Sequence, residues 1–154
     1  MEYLTLKWLH ILSAILLFGT GLGSAFYKFF TDRSGNTAAI ALTNRLVVRA
    51  DWLFTTPTVF IQPLTGLWLL YLVGVPWSAL WVWLSLLLYV IAGVCWLPAV
   101  VLQIRMRNLA GRQARAQRPL PPGYQRMART WTLLGIPAFS AMVLITALMV
   151  YRPA

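Results

Sequence analysis

The chain has 154 residues, 60% of them apolar and only 10% charged, with a mean hydropathy of +0.71. That composition excludes an ordinary soluble domain, and the length allows one compact domain with little room for a soluble module beside several membrane spans. The net charge of +10 does not point to nucleic acid, because its basic residues sit in links between apolar stretches, where they orient a membrane protein and meet anionic lipid head groups.

The first uncharged run, Trp8 to Tyr27, has 20 residues, the length needed to cross a bilayer as a helix. It lacks a small-residue cleavage site and reads as a retained span. The link Thr31 to Arg49 contains the turn Ser34-Gly35-Asn36, followed by Thr37 to Val48, whose composition suits a helix running into the second span. Next comes an uncharged run of 53 residues, Trp52 to Ile104, which would be about 80 Å long as one helix and must therefore turn back. The reversal falls at Val73-Gly74-Val75-Pro76-Trp77-Ser78, with Gly74 ending one helix and Pro76 in the first turn of the next. The link Arg105 to Arg129 carries seven arginines around Pro119-Leu120-Pro121-Pro122-Gly123, which breaks any continuous helix. A last uncharged run of 22 residues, Thr130 to Tyr151, gives a fourth crossing, with Pro137 as a local kink. The expected fold is thus all-α, a single transmembrane four-helix bundle over 1–154 with helices at roughly 4–30, 50–72, 77–104 and 130–151.

Basic residues number four between Lys28 and Arg49 and seven between Arg105 and Arg129, against Lys7 and Arg152 elsewhere. By the positive-inside rule both long links are cytoplasmic, and the termini and the hairpin turn lie on the outer side of a bacterial-type inner membrane. Trp8, Tyr71, Trp77 and Tyr151 suit the outer aromatic belt, and Trp52 and Trp131 the inner one.

Chemistry is sparse. Cys95 is the only cysteine, which excludes an internal disulfide and a Cys-x-x-Cys-His haem attachment. His10 is the only histidine and sits within the first span, where an ionisable residue defaults to a functional hypothesis. Its helix face continues through Ser13 or Ala14, Leu17, Gly21, Ser24 and Lys28, mostly small residues beside which a flat cofactor fits. The bland alternative is a small-residue helix interface, with Gly19-xxx-Gly23 as its packing signature and His10 merely hydrogen-bonded. One histidine without an intramembrane carboxylate beside it cannot form a catalytic zinc site or a serine triad. The run Gly19-Thr20-Gly21-Leu22-Gly23-Ser24 lacks the last glycine and the preceding strand of a dinucleotide loop. In the second span Thr55-Thr56-Pro57-Thr58, Gln62-Pro63 and Thr65-Gly66 form a polar, helix-breaking series that should face the bundle. Asp51, beside Arg49, reads as an interfacial ion pair or cap.

Lys7-Trp8-Leu9-His10, Thr55-Thr56-Pro57 with Gly66, Arg129 to Pro137, and Tyr151-Arg152-Pro153 together resemble a family of small predicted integral membrane proteins. More distantly, nearly the whole chain resembles the HemJ-type protoporphyrinogen oxidases and CopD-like membrane domains, through His10 and the Ile136-Pro137 neighbourhood. The resemblance implies that His10 binds a b-type haem. The chain departs from those oxidases in having no charge between Pro76 and Val94, where they carry a basic residue, and in placing Lys28 where a loosely similar arginine occurs somewhat earlier.

The leading expectation is a haem- or porphyrin-binding membrane protein in a redox role, exchanging electrons with a membrane partner. His10 would be the iron ligand, and the second ligand a thioether of Met142 or Met149, or the His10 of a second chain in a homodimer. Ser13 and Gly21 would line the cofactor. The alternatives are a non-catalytic membrane subunit or scaffold that holds lipid or a partner protein through its arginine-rich links, and a small transporter. The topology is directly testable: a reporter enzyme active only outside the cytoplasm, fused after Ala154, is expected to be active. An inactive reporter, matched by an active one fused within the arginine link, would invert the arrangement.

Overall fold

A computed structural model describes residues 1–153. Its helices are α1 (Glu2–Thr31), α2 (Thr37–Ala50), α3 (Thr56–Val73), α4 (Leu80–Arg115) and α5 (Pro122–Tyr151). A π-helical segment, Asp51–Thr55, joins α2 to α3 without a break, so Thr37–Val73 forms one rod of 37 residues. Pro57 accounts for the widening: its ring would clash with the carbonyl of Leu53, in the middle of that segment. Four rods are long and apolar enough to cross a membrane, and no strand occurs among the described residues. The all-α four-helix architecture is therefore the one expected from the sequence.

The caps follow local chemistry. The Asn36 side chain accepts the Ala39 N–H at 3.1 Å and starts α2. Gly74 ends α3 with φ of 73°, while the Val75 N–H reaches back to the Leu70 carbonyl at 3.1 Å. Pro76 falls outside the next helix; Pro76 to Ala79 form their own turn, closed by Ala79 N–H on the Pro76 carbonyl at 3.0 Å, and α4 begins at Leu80. At the other end α4 runs on to Arg115, and α5 starts at Pro122, eight residues before Thr130. Arginine and alanine are good helix formers, so these helices outlast the uncharged runs that mark their spans.

This topology gathers the termini and the Gly74 turn at one end, the hairpin end, and both basic links at the other, the link end. Packing is concentrated at the link end, where Ile40 and Ala41 of α2, Met106 and Ala110 of α4, and Tyr124 and Ala128 of α5 form the apolar core. A polar cluster sits beside it. Lys28 Nζ donates to Asp32 Oδ2 at 2.7 Å and to the Tyr124 hydroxyl at 3.1 Å. The hydroxyl donates to Asp32 Oδ1 at 2.6 Å and accepts from Asn44 Nδ2 at 2.7 Å. Lys28 and Tyr124 are both fully buried, and the ammonium also faces the Trp131 ring at 5.4 Å. Lys28 therefore does not extend the His10 face as a site residue, and Trp131 packs over its buried ammonium.

Beyond the link end the rods associate in pairs, α1 with α3 and α4 with α5, and the backbones of α3 and α4 diverge from their turn, bridged by the Tyr89 side chain. Their outward faces, including Leu64, Leu97 and Leu133, are exposed apolar surface of the kind that lipid covers.

Tyr124→Phe should preserve the aromatic packing while removing one donor and one acceptor from the buried ion pair. A loss of roughly 2–4 kcal/mol is expected in detergent unfolding followed by circular dichroism. A change below roughly 0.5 kcal/mol would mean that the cluster contributes nothing beyond burial.

Candidate functional site

The α1–α3 contact is built on hydrogen bonds. Gln62 Nε2 donates to the His10 carbonyl at 2.9 Å and to Ser13 Oγ at 2.7 Å, and Ser13 Oγ donates to the same carbonyl at 2.9 Å. One turn along α3, Thr65 Oγ1 lies 2.7 Å from His10 Nδ1 and also 2.7 Å from the Ile61 carbonyl. The carbonyl can only accept, so the hydroxyl proton goes there and the hydroxyl oxygen accepts Nδ1–H. The Nδ1–H tautomer, with the lone pair on Nε2, is the one that satisfies both contacts. Gly66 eases the approach, because a Cβ there would stand a tight 3.3 Å from His10 Cε1.

His10 borders a cleft of about 230 Å³ at the hairpin end, between the two helix pairs. Met142 and Met149 border the same cleft, so the structure brings together the imidazole and both thioethers considered from the sequence. Lys7 and Arg152 border it as well. Ser13 is buried in the α1–α3 contact, away from this lining, and Gly21 borders a second cavity of about 530 Å³ nearer the link end. Tyr89 and Met142 border both spaces. Gly19 and Gly23 have nothing within 4 Å of where a Cβ would stand, so the close helix approach read from their spacing does not occur within this chain.

Pro63 cannot donate to the Val59 carbonyl, and the Tyr89 hydroxyl of α4 takes that place. Asp51 departs from its expected pairing: Arg49 is exposed, whereas the Asp51 carboxylate is buried and accepts from Thr55 Oγ1 at 2.9 Å. The lone ion pair among the described residues is Lys28–Asp32. No group of three or more His, Cys, Asp or Glu side chains suited to a metal occurs among those residues.

Lys7 and Arg152 entered the sequence reading through topology and family likeness and not as site residues, and Tyr89 and the Asp32–Asn44–Tyr124 partners of Lys28 did not enter it. Tyr89 carried one usable signal, a hydroxyl within an apolar run that needs an acceptor such as a carbonyl freed by proline.

A family model described as a predicted integral membrane protein, DUF2269, matches residues 4–153, and the chain belongs to that family. No curated protein and no solved structure matches the chain. The family match bears out the first of the two resemblances read from the sequence and does not reach the HemJ-type or CopD-like proteins.

Gln62→Leu keeps the bulk of the side chain but strips both donors from the α1–α3 contact. It should lower stability by roughly 1–2 kcal/mol in the same unfolding measurement, within the range of interhelical hydrogen bonds in membranes. An unchanged midpoint would place the cohesion of α1 and α3 in apolar packing alone.

Proposed function

We propose that this integral membrane protein binds a b-type haem or a related porphyrin at the hairpin end through His10, in a redox role with a membrane-embedded electron partner. The observation that carries the reading is the hydrogen bond between His10 Nδ1 and Thr65 Oγ1 on a ring that borders the cleft; with the proton on Nδ1, the Nε2 lone pair is left for a ligand. Metal-binding histidines are usually held by such a bond through their other ring nitrogen.

The chemistry of the remaining lining supports the same reading. Met142 or Met149 would offer a thioether as a second, weaker iron ligand, with the His10 of a second copy as the alternative. Lys7 and Arg152 supply two cations to match the two propionates of a b-type haem. The cleft alone is smaller than the roughly 300–1,000 Å³ of typical small-molecule sites, so a whole macrocycle has to reach past Tyr89 and Met142 towards the larger cavity. When bound, the haem would supply reversible one-electron iron chemistry. The chain's own part is to fix the imidazole through Thr65, hold the anionic edge and exclude water with apolar walls. With an inner-membrane location and outer termini, this site lies near the outer face.

One observation favours the rival reading of a non-catalytic membrane subunit. The Ser13–Gln62–His10 carbonyl bonds tie α1 to α3 whether or not a ligand is present.

The visible spectrum of protein made under haem-replete conditions, with and without dithionite, separates the two. A reducible Soret band is expected in the wild type and its loss in His10→Ala, because a coordinate bond is discarded. Met142→Leu or Met149→Leu should alter the reduced spectrum only where that sulfur is axial. A wild type without haem would favour the subunit reading, and equal haem content in His10→Ala would remove His10 as an essential ligand.

A further inference from the structure

The larger cavity has a chemistry of its own. Asp51 is 6% exposed, and while its Oδ1 accepts from Thr55, Oδ2 has no hydrogen-bond partner. The buried Gln103 side chain lies beside the carboxylate without meeting hydrogen-bond geometry. A second orphan, Trp96 Nε1, is buried along the same lining. Two unsatisfied polar atoms on residues that line one space are unusual, since buried polar groups are almost always paired.

Asp51 is the one Asp, Glu, Lys or Arg in that lining. Neither nearby cation serves it: Arg49 is exposed, and Lys28 is committed to Asp32 and Tyr124. A carboxylate in an apolar, low-dielectric surrounding calls for a compensating positive charge. A bare divalent ion is poorly matched, because hard cations gather several oxygen ligands and this wall offers a single carboxylate. Several aromatic rings line the cavity, among them Phe18, Trp96 and Phe139, and such faces attract organic cations. The volume of about 530 Å³ lies within the range of small-molecule sites. The π-helical segment that carries Asp51 is itself a geometry that recurs at functional sites.

We infer that this cavity binds a lipid-soluble aromatic cation, with Asp51 as its counter-charge and the surrounding rings as its walls. The site adjoins the His10 cleft across Tyr89 and Met142 and differs from it in charge. The cleft takes an anionic edge between Lys7 and Arg152, whereas the cavity takes a cation near the link end.

Tetraphenylphosphonium is the probe, and tetraphenylborate is its charge-reversed counterpart of nearly the same shape. Equilibrium dialysis of the detergent-solubilised full chain, with empty detergent micelles as background, measures both. Saturable binding of the cation is expected at one site per chain, with the anion weaker by about tenfold or more. Asp51→Asn preserves the shape of the side chain and should weaken the cation by about tenfold or more, with the helical circular dichroism signal kept as the check on folding. Absent saturable binding, equal binding of the two ions to wild type, or a folded Asp51→Asn that binds as well as wild type would each overturn the inference. The two-ion comparison stands on the wild-type protein even where the variant fails to fold.

Discussion

A single phenolic hydroxyl organises the link end. Tyr124 O–H donates to Asp32 and accepts from Lys28 and Asn44, so one oxygen on α5 closes a network reaching α1 and α2. The ring beneath it belongs to the apolar core shared by α2, α4 and α5. Burying a charge pair is costly, and removing either partner leaves an uncompensated charge, so the arrangement tolerates little displacement. The register of α5 against the first two helices is fixed at that point.

With the link end locked, the rods have no need to pack tightly along their whole length. α1 is held to α3 by Gln62 and Ser13, α4 packs on α5, and the space between the pairs remains as two apolar cavities. The only side-chain bond from α3 to α4 is Tyr89 to the Val59 carbonyl, and Tyr89 stands where the two cavities meet. Proline thus does two jobs in the second rod. Pro57 widens the helix where Asp51 turns inward, and Pro63 frees the acceptor by which α4 is held across the gap.

The fold was legible because its signals are long-range averages: uncharged runs of span length, one Gly-Pro reversal and arginine-rich links survive any local uncertainty. Helix ends were less legible, since α4 and α5 extend beyond the apolar stretches into sequence that is equally helical in propensity, and hydropathy is blind to that continuation. The site was half legible. His10 and Thr65 fall on facing surfaces that spacing can propose, but the tautomer is argued from the Ile61 carbonyl that also meets the Thr65 hydroxyl, and only coordinates show that contact. The Lys28 network was hidden for a different reason. Its members are separated by as many as 96 residues, and a lysine four residues before an aspartate at a helix end reads as an ordinary surface pair until α5 is seen to cover it.

That separation also sets an order of events during synthesis. Lys28 and Asp32 leave the ribosome together, but the hydroxyl that completes their burial follows 92 to 96 residues later, a wait of roughly 5–20 s at ordinary elongation rates. Through that interval the first helices hold a charged pair with an open side, beside a core to which α5 has yet to contribute. The last helix is therefore the step that commits the nascent chain, and a protein cut short before Tyr124 presents its insertion machinery and its proteases with an unfinished polar seam.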